Sequence, residues 1–346
     1  MTGESGESRP LVAVVIPCYR VGGTVLQVIE RVGPEVGLIV CVDDACPERS
    51  GDLVASRYGT DPRIRIIRNV RNRGVGAATC AGYRASIAAG ARIIVKIDGD
   101  GQMDPRLIPY FAAPIQRGEA DYVKGNRFFA IETLKSMPWR RIVGNAVLSF
   151  FSKLSSGYWN LFDPANGFTA IEAEVASQLP LDKLHPRFFF ESDLLFRLAT
   201  IRARVVELPI ASSYFGQASN LSEAWALLTF PFLHFRNFVK RLLYCYFLRG
   251  FSLASINLVL GVILFAFGLL FGLDRWAEVS AVGIAASPGT VMLAALPILV
   301  GLQLILAFVS HDMAMVPTVA VHPNLHQIQV LYRESATADR SATEPK

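Results

Sequence analysis

The chain has 346 residues, of which 52% are hydrophobic and 18% charged, and its formal net charge is +5. That length exceeds what one domain usually needs, and so mild a charge fits an anionic membrane surface or anionic substrates without pointing to nucleic acid. The five cysteines (Cys18, Cys41, Cys46, Cys80 and Cys245) include no C-x-x-C pair and are odd in number, so neither a disulfide framework nor a zinc site is expected.

Met1–Pro10 is polar and has no apolar stretch, which predicts a disordered start (residues 1–9), no leader, and a catalytic part that stays in the cytoplasm. Leu11–Pro17, Gly37–Val42, Arg63–Ile67 and Arg92–Ile97 are short Val- and Ile-rich runs of the kind that form buried parallel strands. Gly23–Val32, Glu48–Tyr58 and Gly76–Ala89, between them, have helical spacing or alanine-rich composition. Strand–helix alternation predicts an α/β domain with a doubly wound parallel sheet, whose ligands bind beyond the carboxyl ends of the strands. Three of the strands end in Pro17-Cys18-Tyr19, Asp43-Asp44 and Asp98-Gly99-Asp100, which therefore converge on one crevice.

After Phe215 the character changes. Ser222–Gly250 mixes aromatic residues with His234, Arg236, Lys240, Arg241 and Arg249, and reads as helices lying in a membrane interface, broken by Pro231. An ordinary core helix is the alternative. Leu253–Leu273 carries no charge and, at about 1.5 Å per residue, is long enough for a hydrocarbon core of about 30 Å. Thr290–Val309 is a second such span, with Pro297 inside it. The flank before the first span is rich in Arg and Lys, whereas the loop between the spans has only Arg275, so the catalytic domain and tail are expected on the cytoplasmic side. The expected division is 10–220 catalytic, 221–250 interfacial, 251–310 spanning and 311–346 tail.

Asp98-Gly99-Asp100-Gly101-Gln102 ends a hydrophobic strand, and two carboxylates one residue apart in a glycine-rich turn bring oxygen ligands to one cation. Mg²⁺ or Mn²⁺ favours oxygen, keeps positions open for phosphate oxygens and neutralises a departing diphosphate. A carboxylate at Asp43 or Asp44 accepts hydrogen bonds from a base or ribose. The other role for either residue is to cap the helix that follows.

Four segments occur in the order and spacing of glycosyltransferase family 2: Val14-Val15-Ile16-Pro17-Cys18-Tyr19, Val42-Asp43-Asp44-Ala45-Cys46, Arg71-Asn72-Arg73-Gly74-Val75-Gly76, and Asp98 to Pro105. Gln102, Lys124-Gly125-Asn126-Arg127, Asp163 to Phe168 and the two spans narrow the resemblance to the polyprenyl-phosphate sugar transferases, over about residues 10–310. The resemblance implies a GT-A fold and a metal at Asp98, Asp100 and Gln102. It implies a nucleotide-sugar near Pro17, Tyr19, Asp43, Asp44, Arg73, Gly76 and Asp98, and a lipid phosphate near Arg127 and one of Arg140 or Arg141. It matches Asp193 to a carboxylate near the active site, where a charge favoured by a helix N-terminus is the alternative. It also suggests a homotetramer. The chain departs from the pattern at Arg20-Val21, where an acid is usual, and at Tyr214–Asn220, where two basic residues are missing.

A phosphate monoester acceptor fits the residues on chemical grounds. With a second pKa near about 6 it is already a nucleophile and needs no general base, only cationic positioning such as the Arg127 fork. The expected reaction is inverting transfer of a hexose from a nucleotide-sugar, UDP-linked in preference to GDP-mannose, onto a polyprenyl phosphate of the bacterial plasma membrane. The rival readings are a processive polysaccharide synthase, which needs a Gln-x-x-Arg-Trp motif where this chain has only Arg275-Trp276 between its spans, a transferase with a sugar hydroxyl acceptor, and an inactive membrane scaffold.

Overall fold

The structure, a computed structural model, describes residues 11–129, 139–164, 166–210, 223–283 and 285–327, without the side chains of 140, 141, 223–228 and 282. The chain divides into two compact units, Met1–Asn237 with Pro317–Lys346, and Phe238–Val316.

In the first unit the four expected strands form, each starting one residue later than its apolar run: β1 (Val12–Cys18), β2 (Leu38–Asp43), β3 (Ile64–Arg68) and β4 (Ile93–Lys96). Between them lie α1 (Val25–Glu30), α2 (Ser50–Tyr58) and α3 (Val75–Ala88). Then follow α4 (Ile108–Gln116), β5 (Tyr122–Asn126), α5 (Trp139–Ser156), β6 (Thr169–Glu172), α6 (Ala173–Ser177), α7 (Phe190–Thr200) and β7 (Val205–Pro209). The sheet order is β3-β2-β1-β4-β6-β5-β7.

The sheet is not wholly parallel, as the strand–helix alternation had suggested. β1 to β4 pair in parallel, but β6 runs antiparallel to both β4 and β5. The reason is positional. Thr169, the first residue of β6, pairs with Lys96, the last of β4, so the chain enters β6 from the end where β4 finishes. The segment before β6 thereby lies at the carboxyl ends of the parallel strands, where ligands of such sheets bind. Apolar side chains of β1, β2 and β4 are buried with those of α1 and α4, and Phe111 stacks on Phe168 with ring centroids 4.0 Å apart.

α8 (Glu223–Leu242) is one continuous helix with Pro231 inside it, so the proline does not break it. An interior proline costs about 3 kcal/mol, and burial of Phe230, Leu233, His234 and Asn237, spaced as one helical face, offsets that cost. His234 is therefore no surface base. Its Nδ1 lies 2.8 Å from Ser155 Oγ and its ring meets Phe189 edge-on. Phe232, Phe235 and Arg236 face outward. From the tail, Val321 and His322 donate backbone N–H groups to Asp121, and His322 Nδ1 lies 2.8 Å from Asp121 Oδ1. Residues 317–327 thus fold with the first unit.

The second unit is a hairpin of α9 (Leu253–Val282) and α10 (Pro288–Ala314), two helices long and apolar enough to cross a membrane. Both outrun the expected spans. Gly301 lets α9 and α10 touch backbone to backbone, since a Cβ there would lie 2.5 Å from Phe265 N. Arg241, read from sequence as an interfacial charge, is buried and bidentate on Asp312 at 2.6 and 3.0 Å, and Tyr246 donates its hydroxyl to Asp312 at 2.6 Å. This joins the segment before the first span to the end of the second, so both ends of the hairpin lie on one side.

Burial lowers the His234 pKa to about 4. The unfolded chain takes up this proton near pH 6.5, so the stability from a neutral His234 is complete above that value and is lost as pH falls towards about 4. Denaturant unfolding of detergent-solubilised protein is expected to show about 2 kcal/mol of this loss between about pH 7 and pH 5. His234→Phe removes that component; an unchanged acid dependence in the variant contradicts the assignment.

Candidate functional site

Parallel pairing places the ends of β1 and β2 side by side, with Cys18 opposite Asp43, and Asp44 N–H donating to Cys18 O at 3.0 Å. Pro17 is buried in β1, whereas Tyr19, just beyond it, is exposed and has the Arg20 guanidinium 5.5 Å from its ring. Both Asp43 oxygens are engaged, Oδ1 by Cys46 N–H and Oδ2 by Gly51 N–H in the first turn of α2, each at 2.7 Å. The helix-capping role therefore falls to Asp43. Asp44 instead accepts from Asn69 Nδ2 at 2.7 Å, Arg73 N–H at 2.9 Å and Gly74 N–H at 2.7 Å, clamping the loop before α3. Arg73 is held by its backbone and its side chain is exposed. Gly76 has a packing role, because a Cβ there would lie 2.3 Å from His185 O.

Asp98, Asp100 and Gln102 follow β4 in a tight turn, with Gly101 at φ +80° and Gln102 N–H donating to Asp100 Oδ1 at 3.0 Å. Thr24 donates its hydroxyl to Gly99 O at 2.6 Å, tying the turn to the segment after β1. All three candidate ligands are half-buried. Burial, together with the negative charge of Asp98, raises the Asp100 pKa above the ordinary carboxylate value. Two mutually repelling carboxylates with an amide beside them fit a hard, oxygen-seeking divalent cation. Among the described residues no group of three His, Cys, Asp or Glu side chains is arranged to hold a metal. A cation here would need further oxygens from a ligand, as a diphosphate supplies.

The partner of Asp98 is a residue that the strand pattern passes over. Lys96, with 2% of its side chain exposed, places Nζ 2.9 Å from Asp98 Oδ1 and 3.2 Å from Glu191 Oε1. Burial opposes its charge, but the two carboxylates outweigh burial and hold its pKa above the ordinary lysine value. A lysine inside the run Ile93–Ile97 was the available signal, since a buried ammonium requires an acid. Glu191 and Asp193 share the first turn of α7, yet only Glu191 reaches this centre. Asp193 is buried and accepts from Asn237 Nδ2 at 2.9 Å and His185 N–H at 3.0 Å, fastening α8 and the segment before α7.

Arg127 does not present an open fork as expected from sequence. Its Nε and Nη2 donate to the two oxygens of Asp163 at 2.8 and 3.0 Å. Asp163 opens the loop that precedes β6. In that loop Asn166 donates to Asp163 at 3.3 Å, and Lys124 donates to Asn166 O. Burial lowers the Lys124 pKa to about 8 against the pull of Glu191 and Asp163. Gly167 then meets the aspartate turn, since a Cβ on it would lie 2.6 Å from Asp98 Oδ2 and 2.7 Å from Lys96 Nζ. Arg127 and Asp98 are thus joined through one loop. α5 carries an exposed apolar stripe, Trp139, Val143, Val147 and Phe150, whose helical spacing was legible in the sequence but not read. The side chains of Arg140 and Arg141, and the whole of Tyr214–Asn220, lie outside the described residues.

The family model for glycosyl transferase family 2 matches residues 13–179. An undecaprenyl-phosphate mannosyltransferase of Micrococcus luteus is 30% identical over 178 residues, 51% of this chain and 72% of that protein. The polyprenol monophosphomannose synthase of Mycolicibacterium smegmatis is 29% identical over 202 residues, covering 57% and 75%. A UDP-N-acetylglucosamine–dolichyl-phosphate N-acetylglucosaminyltransferase of Methanococcus voltae is 26% identical over 217 residues, covering 59% and 86%.

Gly167→Ala forces a methyl group against Asp98 and Lys96. The variant is expected to keep its far-UV circular dichroism and to bind Mn²⁺ in the presence of UDP or GDP at least about tenfold more weakly, by calorimetry. Wild-type affinity would separate the loop from the site.

Proposed function

The chain belongs to glycosyl transferase family 2, and we propose that it transfers a sugar from a nucleotide-sugar to a polyprenyl phosphate at a membrane. The observation that carries this reading is the continuous link from Asp98 through the Gly167 loop and Asp163 to Arg127. It sets a candidate diphosphate-binding turn beside a fixed guanidinium. The names of the three relatives support a polyprenyl-phosphate acceptor, and so do two helices apolar enough to span a membrane.

In this reading the donor nucleotide lies near Pro17, Tyr19, Asp43 and Arg73, at the ends of β1 and β2. Asp98, Asp100 and Gln102 hold a divalent cation, Mn²⁺ or Mg²⁺, which when bound stabilises the charge of the departing nucleoside diphosphate. Arg127, held in one plane by Asp163, orients the acceptor phosphate together with Arg140 or Arg141. A phosphate oxygen attacks the anomeric carbon as the bond to the diphosphate breaks. The acceptor arrives as an anion, so no side chain is required as its base. The attack is a single displacement, so an α-linked donor gives a β-linked lipid.

The outward aromatic and basic residues of α8 and the stripe of α5 suit a membrane interface, with the catalytic unit cytoplasmic. The lipid-linked sugar would serve glycan modification of the cell envelope. A UDP-sugar remains the favoured donor. GDP-mannose is the second reading, because two of the relatives are named for mannose transfer.

The test uses detergent-solubilised protein, Mn²⁺, a short polyprenyl phosphate and labelled UDP-glucose, UDP-N-acetylglucosamine and GDP-mannose. Label is expected in the organic phase with one donor, as a β-linked product, and Asp100→Asn should lower the rate by at least about a hundredfold. Failure of label to enter the organic phase with any donor rejects the lipid acceptor, and an α-linked product rejects single displacement.

A further inference from the structure

Lys96 is the one charged residue of β4, whose other members are Ile93, Ile94 and Val95. Its ammonium is removed from water and shared between Asp98 and Glu191. If Lys96 served only to neutralise Glu191, the two would form a self-contained pair and Asp98 would need no part in it. Instead Asp98 Oδ1 is the nearer of the two oxygens, at 2.9 Å against 3.2 Å for Glu191 Oε1. The backbone at Gly167 lies so close to the same pair that it leaves no room for a side chain. Asp98 is therefore fixed at Oδ1 by an ammonium, while the Gly167 backbone packs near Oδ2 without bonding to it.

We propose that Lys96 is a positioning residue that keeps Asp98 Oδ1 bound inside the sheet, so that Asp98 offers a cation one oxygen in one orientation, and that Glu191 is the counter-charge that keeps Lys96 there. This rests on the reading of Asp98 and Asp100 as cation-holding carboxylates. A bidentate carboxylate would fill two coordination positions, whereas a cation that carries a diphosphate needs positions left open. The lysine thus trades affinity for bare metal against affinity for the metal–diphosphate complex.

The consequence is a pair of effects in opposite directions. Lys96→Met removes one positive charge and releases Oδ1, so Mn²⁺ alone should bind about tenfold more tightly, read by electron paramagnetic resonance. The turnover number for transfer should fall by at least about a hundredfold, with the KM for the acceptor little changed. A purely structural lysine would weaken both properties. Because Lys96→Met leaves Glu191 buried without a partner, Lys96→Met/Glu191→Gln is the companion variant, with both charges removed. It is expected to show the melting temperature of the wild type, a Mn²⁺ spectrum different from the wild type, and the same low turnover. If the double variant recovers both the wild-type spectrum and the wild-type turnover, Lys96 only balances Glu191 and the proposal is wrong, while the reading of the aspartates stands. If the wild type neither binds Mn²⁺ with UDP or GDP nor transfers sugar, the reading of the aspartates fails and the proposal with it.

Discussion

A full positive charge inside a β-sheet is the constraint on which the catalytic unit depends. Lys96 is tolerable there only because two carboxylates meet it, and each brings a different element with it. Asp98 brings the turn after β4. Glu191 brings the first turn of α7, and two residues on, Asp193 fastens Asn237 of α8. A chain of charge-assisted contacts therefore runs from the candidate cation site to the helix that leads towards the spans. Removing any member leaves a buried polar group without its partner, which costs more than the contact itself contributed.

The other acids at the strand ends work in the same way. Asp43 and Asp44, at the end of β2, each accept two backbone N–H groups from segments that follow, and Asp163, in the loop before β6, accepts the backbone N–H and the guanidinium of Arg127. A carboxylate that accepts two or three such donors fixes the path of the loop, because every alternative path strands a buried donor or acceptor. Loops at this end of a sheet carry ligand contacts, and reactions stabilised electrostatically require dipoles already in place before the substrate arrives. Several residues first read as ligand contacts are thus part of the frame that holds the site. Such a residue can still touch a ligand with a remaining lone pair, but its position is set by the protein.

The boundary between what was legible and what was not follows sequence distance. Runs such as Val12–Ile16 and Ile93–Val95 mark buried strands because their composition alone demands burial. The DxD turn stood out because glycines flank its acids. Lys96 and Glu191 lie 95 residues apart, and nothing in either local sequence announces the other. A separation of 36 residues likewise hid the pairing of Arg127 with Asp163, and hence the fact that the guanidinium fork already has a carboxylate. Pro231 misled for a related reason: local propensity argues for a break, and the burial of Phe230, Leu233 and His234 against the catalytic unit overrides it. β6 could not be oriented from composition either, since only the position of the loop before it decides its direction. α5 is the opposite case, with its stripe of Trp139, Val143, Val147 and Phe150 open to view in the sequence.

A lipid phosphate restricts where such chemistry can occur. Its head stays at the interface while its chain stays in hydrocarbon, so the protein must come to the substrate. Two features inside the individual units answer that need. In the second unit, Arg241 and Tyr246, before the hairpin, and Asp312, at its end, form a buried polar knot. Polar groups of this kind resist entry into hydrocarbon, so in a membrane the knot would limit how deeply the two apolar helices sink. In the catalytic unit, Phe232, Phe235 and the stripe of α5 are apolar side chains left on the outside, where a soluble enzyme would gain nothing from them. Aromatic residues with arginine among them are stable at the headgroup level, where one end is dry and the other wet. Each feature, taken within its own unit, suits the headgroup level of a membrane, and the phosphate of a lipid acceptor is confined to that level.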